Sequence, residues 1–202
     1  MGIYDRVMTA APRLNLVSVD DYLAGELVSP VKHEYLGGVV YATAGAANVH
    51  NLIVMNTGAR LHARLRGTPC RVYNSDTKIR IRLPTHTRFY YPDVSVICRS
   101  NAPTESFQDE PAVIVEVLSD STRRIDEGEK RDAYLTIPSL QVYLLLEQDS
   151  PAVVAFRGTG HEFVREVYQG LETVIPLEEI GTSLPLNEVY EMVALSPDAS
   201  AE

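Results

Sequence analysis

The sequence predicts an α/β protein, and three observations carry that expectation. Apolar runs of strand length occur at 113–118 and 140–146, too short and too β-branched or leucine-rich to need another reading. Two stretches, 46–66 and 124–136, keep helical spacing. A hairpin signature, Gly37-Gly38 between short apolar segments, stands near the start.

The elements follow in order. Residues 1–17 lack periodicity and contain Pro12, so they are expected to form an arm. Ser18-Val-Asp-Asp21 is a capping-box variant ahead of a short helix that stops near Gly25 to Pro30. His33 to Ala42 reads as the hairpin, which puts Glu34 on a strand. From about 46 to 66, Ile53, Val54, Leu61 and Leu65, with small Ala59 and Ala63, keep helical spacing, and Gly67 and Pro69 end this longest helix. His50 lies in its first turns. In 77–83 the residues Ile79, Ile81 and Leu83 alternate with Lys78, Arg80 and Arg82, predicting one core face and one basic face.

Two strands come next, 88–98 and 111–118, joined by a polar loop over 100–110 that suits a wide hairpin or a flap. A helix over 124–136 ends before Pro138, followed by a buried strand at 140–146, further strands near 152–156 and 162–167, and a final helix within 184–193. One domain over 18–193 accommodates all of this, with 194–202 as a tail.

Composition narrows the function. A hydrophobic fraction of 45 % and a charged fraction of 22 % are ordinary for a globular chain, and no apolar run is long enough to span a bilayer. The chain reads as cytoplasmic, without a membrane partner. Cys70 and Cys98 fall in apolar strand-like runs with no CxxC spacing, and read as two buried reduced thiols. The net charge of −9 disfavours indiscriminate nucleic-acid binding, yet between Arg60 and Arg88 eight basic residues accompany the single acid Asp76. That segment is locally basic.

The chemistry concentrates on two carboxylates. Asp93 and Glu116 are each embedded in an apolar strand, where an unpaired carboxylate costs several kcal/mol. Two of them on successive strands suggest a shared cation, and their hard oxygens suit Mg²⁺ or Mn²⁺. Lys130 shares a helix face with Ala133, Tyr134 and Ile137, so its amine can reach the strand ends, its pKa lowered by burial and metal; alternatively it makes an ordinary i to i+4 pair with Asp126 on an exposed face.

Pro92-Asp93, Glu116-Val-Leu-Ser119 and Glu129-Lys-Arg-Asp-Ala-Tyr134 resemble the PD-(D/E)XK nuclease superfamily, and closely its Uma-two branch. The resemblance covers roughly 18–190. It implies a restriction-endonuclease-like core, a central mixed sheet flanked by helices, with Asp93, Glu116 and the Val117 carbonyl as metal ligands. The superfamily's lysine usually stands two residues after the Glu, where this chain has Leu118; Lys130 matches the displaced position of this branch. Glu34 and His50 match its upstream Glu and helical His, which would bring both beside the metal.

The leading expectation is a Mg²⁺-dependent endonuclease that cleaves DNA through a metal-activated water, with Lys78, Arg80 and Arg82 binding phosphates, acting as a homodimer. A second class is a nucleic-acid-binding or assembly module that keeps the fold without turnover. A glycoside hydrolase using the two carboxylates lacks any Trp platform. No GxSxG, P-loop, HExxH or GxGxxG motif occurs.

Overall fold

The order of elements in a computed structural model, which describes residues 16–43, 45–160 and 162–195, is set by local signals before any packing. Helix α1 (Val19–Glu26) begins where the Ser18 hydroxyl accepts the Asp21 N–H at 3.1 Å. Strands β1 (His33–Leu36) and β2 (Val39–Ala42) form the expected hairpin, and Gly37 and Gly38, at φ 59° and 104°, supply the two left-handed residues that its turn requires. Helix α2 (Asn48–Arg64) follows, then β3 (Arg71–Asn74), β4 (Lys78–Arg82), β5 (Thr87–Tyr90), β6 (Val94–Ile97), β7 (Phe107–Gln108) and β8 (Pro111–Val117). The crossover after β8 consists of α3 (Arg123–Ile125), a π turn (Asp126–Lys130) and α4 (Arg131–Tyr134). Strands β9 (Val142–Leu146), β10 (Ala152–Gly158), β11 (Phe163–Gln169), β12 (Val174–Leu177) and β13 (Thr182–Pro185) and helix α5 (Leu186–Val189) complete the fold. Of the arm, residues 1–15 lie outside the described residues, as do 196–202 of the tail.

Four layers result: α2, a six-stranded sheet, a five-stranded sheet and α1. A six-stranded sheet of order β11-β10-β9-β8-β6-β3 is antiparallel throughout except for the β8/β9 pair, so it is mixed as expected. One of its faces packs Val94, Val96, Val113, Val115 and Val117 against Ile53 and Leu61 of α2. The other face presents Ile114, Leu118, Tyr143 and Leu145 to Tyr134 and to Ile79, Ile81 and Tyr90 of a five-stranded sheet, β2-β1-β5-β4-β7. The far face of that second sheet carries Tyr35, Phe89 and Phe107 under Tyr22 of α1. Among the described residues no helix is long and apolar enough to cross a membrane.

Several expectations change. The run 88–98 is two strands in two different sheets, because Pro92 has no N–H to continue a ladder and the chain passes between layers at Tyr91-Pro92-Asp93. The loop over 100–110 contains β7, which pairs in parallel with β4. The last described elements are a β12/β13 hairpin followed by a single helical turn, since Pro185, with extended φ and ψ, closes the strand before α5 starts. Cys70 and Cys98 are not free thiols. The antiparallel β3/β6 register, Arg71 opposite Ile97, sets them side by side, and they form a disulfide.

That cross-link spans 28 residues, and closing such a loop stabilises by roughly 3 kcal/mol. Reduction, or Cys70→Ser, is therefore expected to lower the melting temperature by about 6–12 °C in thermal denaturation. Titration of free thiols in the unreduced, unfolded chain should find none, and two would refute the pairing.

Candidate active site

Glu116 is placed by alternation: with Ile114 and Leu118 it points into the layer between the two sheets, while its neighbours Val115 and Val117 face α2. Only 4 % of its side chain is exposed. Asp93 comes from the crossing segment just before β6, and the two acids are tied through the backbone: the Asp93 N–H donates to Glu116 Oε2 at 3.3 Å and the Val117 N–H donates to Asp93 Oδ2 at 2.8 Å. His50, in the first turn of α2, sets Nε2 3.2 Å from the same Asp93 oxygen. Among the described residues its buried Nδ1 has no hydrogen-bond partner.

Lys130 completes the group from the other side. Its Nζ lies 3.0 Å from Glu34 Oε1, 3.4 Å from Asp126 Oδ1 and 3.6 Å from Glu116 Oε1, above the Tyr90 ring. The structure thus brings together the five side chains expected around the ion, Asp93, Glu116, Lys130, Glu34 and His50. Asp126 is an addition. The expected alternative put it with Lys130 on an exposed face, but its side chain is 3 % exposed and its Oδ1 has no hydrogen-bond partner of good geometry. The Asp126-x-x-x-Lys130 spacing was the available signal. The π turn carries both residues to its inner side, and Tyr143 donates to the Asp126 carbonyl at 3.0 Å, anchoring that turn on β9.

Electrostatics follow from this crowding. Burial pushes the Glu116 carboxyl well up; Lys130 pulls it back, and Asp126, Asp93 and Glu34 push it further up. Burial alone would lower the Lys130 ammonium, yet Glu116, Glu34 and Asp126 together hold it above the ordinary lysine value. In the protein alone the expected lowering is therefore reversed, because three anions outweigh desolvation. His50 shows the same balance: burial opposes its charge, and the Asp93 carboxylate, aided by the Val117 carbonyl, raises it.

Four carboxylates thus share a nearly closed space with one lysine and one histidine. With all four carboxylates ionised and both cations charged the group would lack two positive charges, and the upward shifts of Glu116 and Asp126 are the response to that crowding. The donor set fits a hard cation of the Mg²⁺ kind, which takes one or two carboxylates and keeps waters. Among the described residues no three His, Cys, Asp or Glu side chains converge as a ready metal cage.

The basic strand face lies elsewhere. Cross-strand pairing of Arg80 with Phe89 and of Ile81 with Arg88 puts Lys78, Arg80 and Arg82 on the α1 side of the five-stranded sheet, opposite the acid cluster. Arg80 is held by Asp109 through two hydrogen bonds of 2.7 Å and stacks on Phe107, Arg82 lies 3.8 Å from the same carboxylate, and Lys78 is buried. The expected open basic face is largely closed by Asp109 and β7. The cation on the cluster's side of that sheet is Arg88, hydrogen-bonded to Tyr90 and paired with Glu129 at 2.9 Å.

An acid cluster held between two sheets, with a lysine delivered from the helical crossover between parallel strands, is the build of a restriction-endonuclease-like α/β protein. Residues 19–187 match the Uma2 family, described as "Putative restriction endonuclease", and the chain belongs to that family. It is 34 % identical over 182 residues to the uncharacterized protein slr1290 of Synechocystis, covering 88 % of this chain and 93 % of that one. A second Synechocystis protein, the uncharacterized sll1609, is 31 % identical over 156 residues, 76 % and 87 % of the two chains. A solved structure from Anabaena variabilis, described as "a putative nuclease belonging to DUF820", shares the fold at a TM-score of 0.67 and 17 % identity, covering 85 % of this chain and 98 % of its own.

Removing the only lysine of the cluster leaves buried carboxylates facing one another, so Lys130→Met is expected to cost about 3–5 kcal/mol in chemical denaturation without divalent ions. Adding Glu116→Gln should return part of that loss; a single mutant as stable as wild type would show that the pairing carries no weight.

Asp109 gives a pH test away from this centre. Burial raises its carboxyl, but the hydrogen bonds from Arg80 and Asn101 and the charges of Arg80 and Arg82 together outweigh it, and the net shift is downward. Stability from the pair is thus present above the ordinary aspartate value of 3.8 and lost as the pH falls through the lower folded value. Asp109→Asn should flatten that part of the acid limb of a stability–pH curve.

Proposed function

We propose that this protein is a Mg²⁺- or Mn²⁺-dependent endonuclease that hydrolyses phosphodiester bonds of DNA. The observation that carries the reading is the buried acid cluster: Glu34, Glu116 and Asp126 surround a single lysine, Asp93 stands beside Glu116 and His50, and the chain belongs to a family described as "Putative restriction endonuclease". Asp93 and Glu116, with the Val117 carbonyl, would hold the ion, which supplies Lewis acidity and an activated water when bound.

The chain's own residues divide the remaining work. His50 and the Val117 N–H fix the Asp93 carboxylate, so that its free oxygen keeps one direction. Lys130, held charged by Glu34 and Asp126, is suited to stabilise the negative charge that develops on the phosphate oxygens, not to accept a proton. Arg88 stands on the same side and can meet a neighbouring phosphate by exchanging its exposed partner Glu129. Cutting both strands of a duplex requires two such centres, and a homodimer would supply them.

Titration calorimetry with Mg²⁺ and Mn²⁺ tests the site directly. Saturable binding is expected in wild type and its loss in Asp93→Ala/Glu116→Ala; identical heats in the two proteins would remove the proposed ion site. Cleavage of supercoiled, linear and single-stranded DNA, with and without the ion, then tests the activity, for which Lys130→Gln should lower kcat by about 100-fold or more. DNA binding that survives without any cleavage by wild type would favour the module that keeps the fold without turnover.

A further inference from the structure

Lys78 is a charged group that the acid cluster does not explain. The residue is 5 % exposed, lies on the side of β4 away from Glu34 and Lys130, and among the described residues its amine has no hydrogen bond or ion pair. The Tyr91 ring, 5.2 Å away by centroid, is its recorded partner. A cation–π contact offsets only about 0.5–2 kcal/mol of the cost of burying an ammonium. Burial pushes this lysine down, and Glu26 opposes that shift only in part.

Lys78 is among the residues that line a groove of about 770 Å³ between the β3/β4 turn and the loop after β6. Arg71 stands on the same groove, its Nη1 fixed by the Thr68 and Cys70 carbonyls at 2.9 and 3.1 Å and, among the described residues, without a carboxylate partner. Tyr73, Ser100 and Asn101 add polar groups. Two acids also line it: Asp76 is already neutralised by Lys32 at 2.8 Å, and Glu105 is exposed to solvent.

We propose that this groove is a binding site for a phosphate group, with Lys78 as the buried point charge and Arg71 as the planar fork. Two cations without protein counter-ions match a dianion better than a single carboxylate. The volume is that of a site for a small molecule of nucleotide size. Either a free nucleotide or the phosphate of a nucleic-acid strand has the required chemistry. The site lies across the five-stranded sheet from the acid cluster and stands independently of the endonuclease reading.

The test is calorimetry on the full chain, without divalent ions, using inorganic phosphate, AMP and a short single-stranded oligonucleotide. One-to-one binding is expected, weakened about tenfold or more by K78M and by R71Q and left unchanged by R124Q, an exposed arginine outside the groove. AMP bound more tightly than the oligonucleotide identifies a free nucleotide as the ligand; the reverse order, with AMP displaced, identifies a strand phosphate. If K78M fails to fold, as judged by near-ultraviolet circular dichroism, the exposed R71Q carries the comparison. Absence of binding by all three probes up to about 10 mM, or equal affinity in wild type and the groove variants, overturns the proposal.

Discussion

The burial of Glu116 in an apolar layer is the constraint around which the rest is arranged. A carboxylate between Ile114 and Leu118, facing Tyr134, is tolerated only if charges and donors meet it. The neighbouring elements can be understood as the supply of those partners: the crossing segment brings the Asp93 N–H, the π turn brings Lys130, and the β1 strand brings Glu34 to hold that lysine. None of these supports itself. Lys130 without its acids would be a buried ammonium, and Asp126 without Lys130 would be a second unpaired carboxylate.

The two sheets share one chain, and the handover between them fixes both the site and its limits. Tyr90 faces the cluster, Tyr91 faces Lys78 and Glu26 of α1, and Asp93 already belongs to the approach to β6. Within four residues the backbone therefore serves two faces of one sheet and the edge of another. Pro92 stops the β5 ladder at that point, so the change of sheet needs no unpaired N–H. Moving this junction by one residue would exchange the faces of Tyr90 and Tyr91 and would carry Asp93 away from Glu116.

What could be read from the sequence was local or paired by strong energetics. The Gly37-Gly38 turn, the Ser18 cap and the α2 span are written in residue type and spacing, and a carboxylate inside an apolar strand announces its own cost. Face assignment across sheets was not legible. The alternation of Lys78, Arg80 and Arg82 with isoleucines correctly separates two faces of β4, but periodicity carries no information on what covers the polar one, and Asp109 lies nearly thirty residues away in sequence. The disulfide was hidden for the same reason, because it depends on the β3/β6 register and not on the residues next to either cysteine.

The state of Lys130 distinguishes two kinds of centre. A lysine that accepts a proton near neutral pH has to be destabilised as a cation, by burial or by another positive charge. Here burial is overcome by Glu34, Glu116 and Asp126, and two of those carboxylates do not belong to the expected ion ligands, so they would remain beside the amine after an ion had engaged Asp93 and Glu116. An arriving cation would compete for Glu116 and shift the balance of the lysine downward, but Glu34 at 3.0 Å stays as its counter-ion. Under the proposed function, the arrangement would set a fixed positive charge next to the phosphate and leave activation of water to the ion. Asp126 then acquires a structural reason: it holds the amine from within the same π turn, which would keep that charge in place with or without an ion.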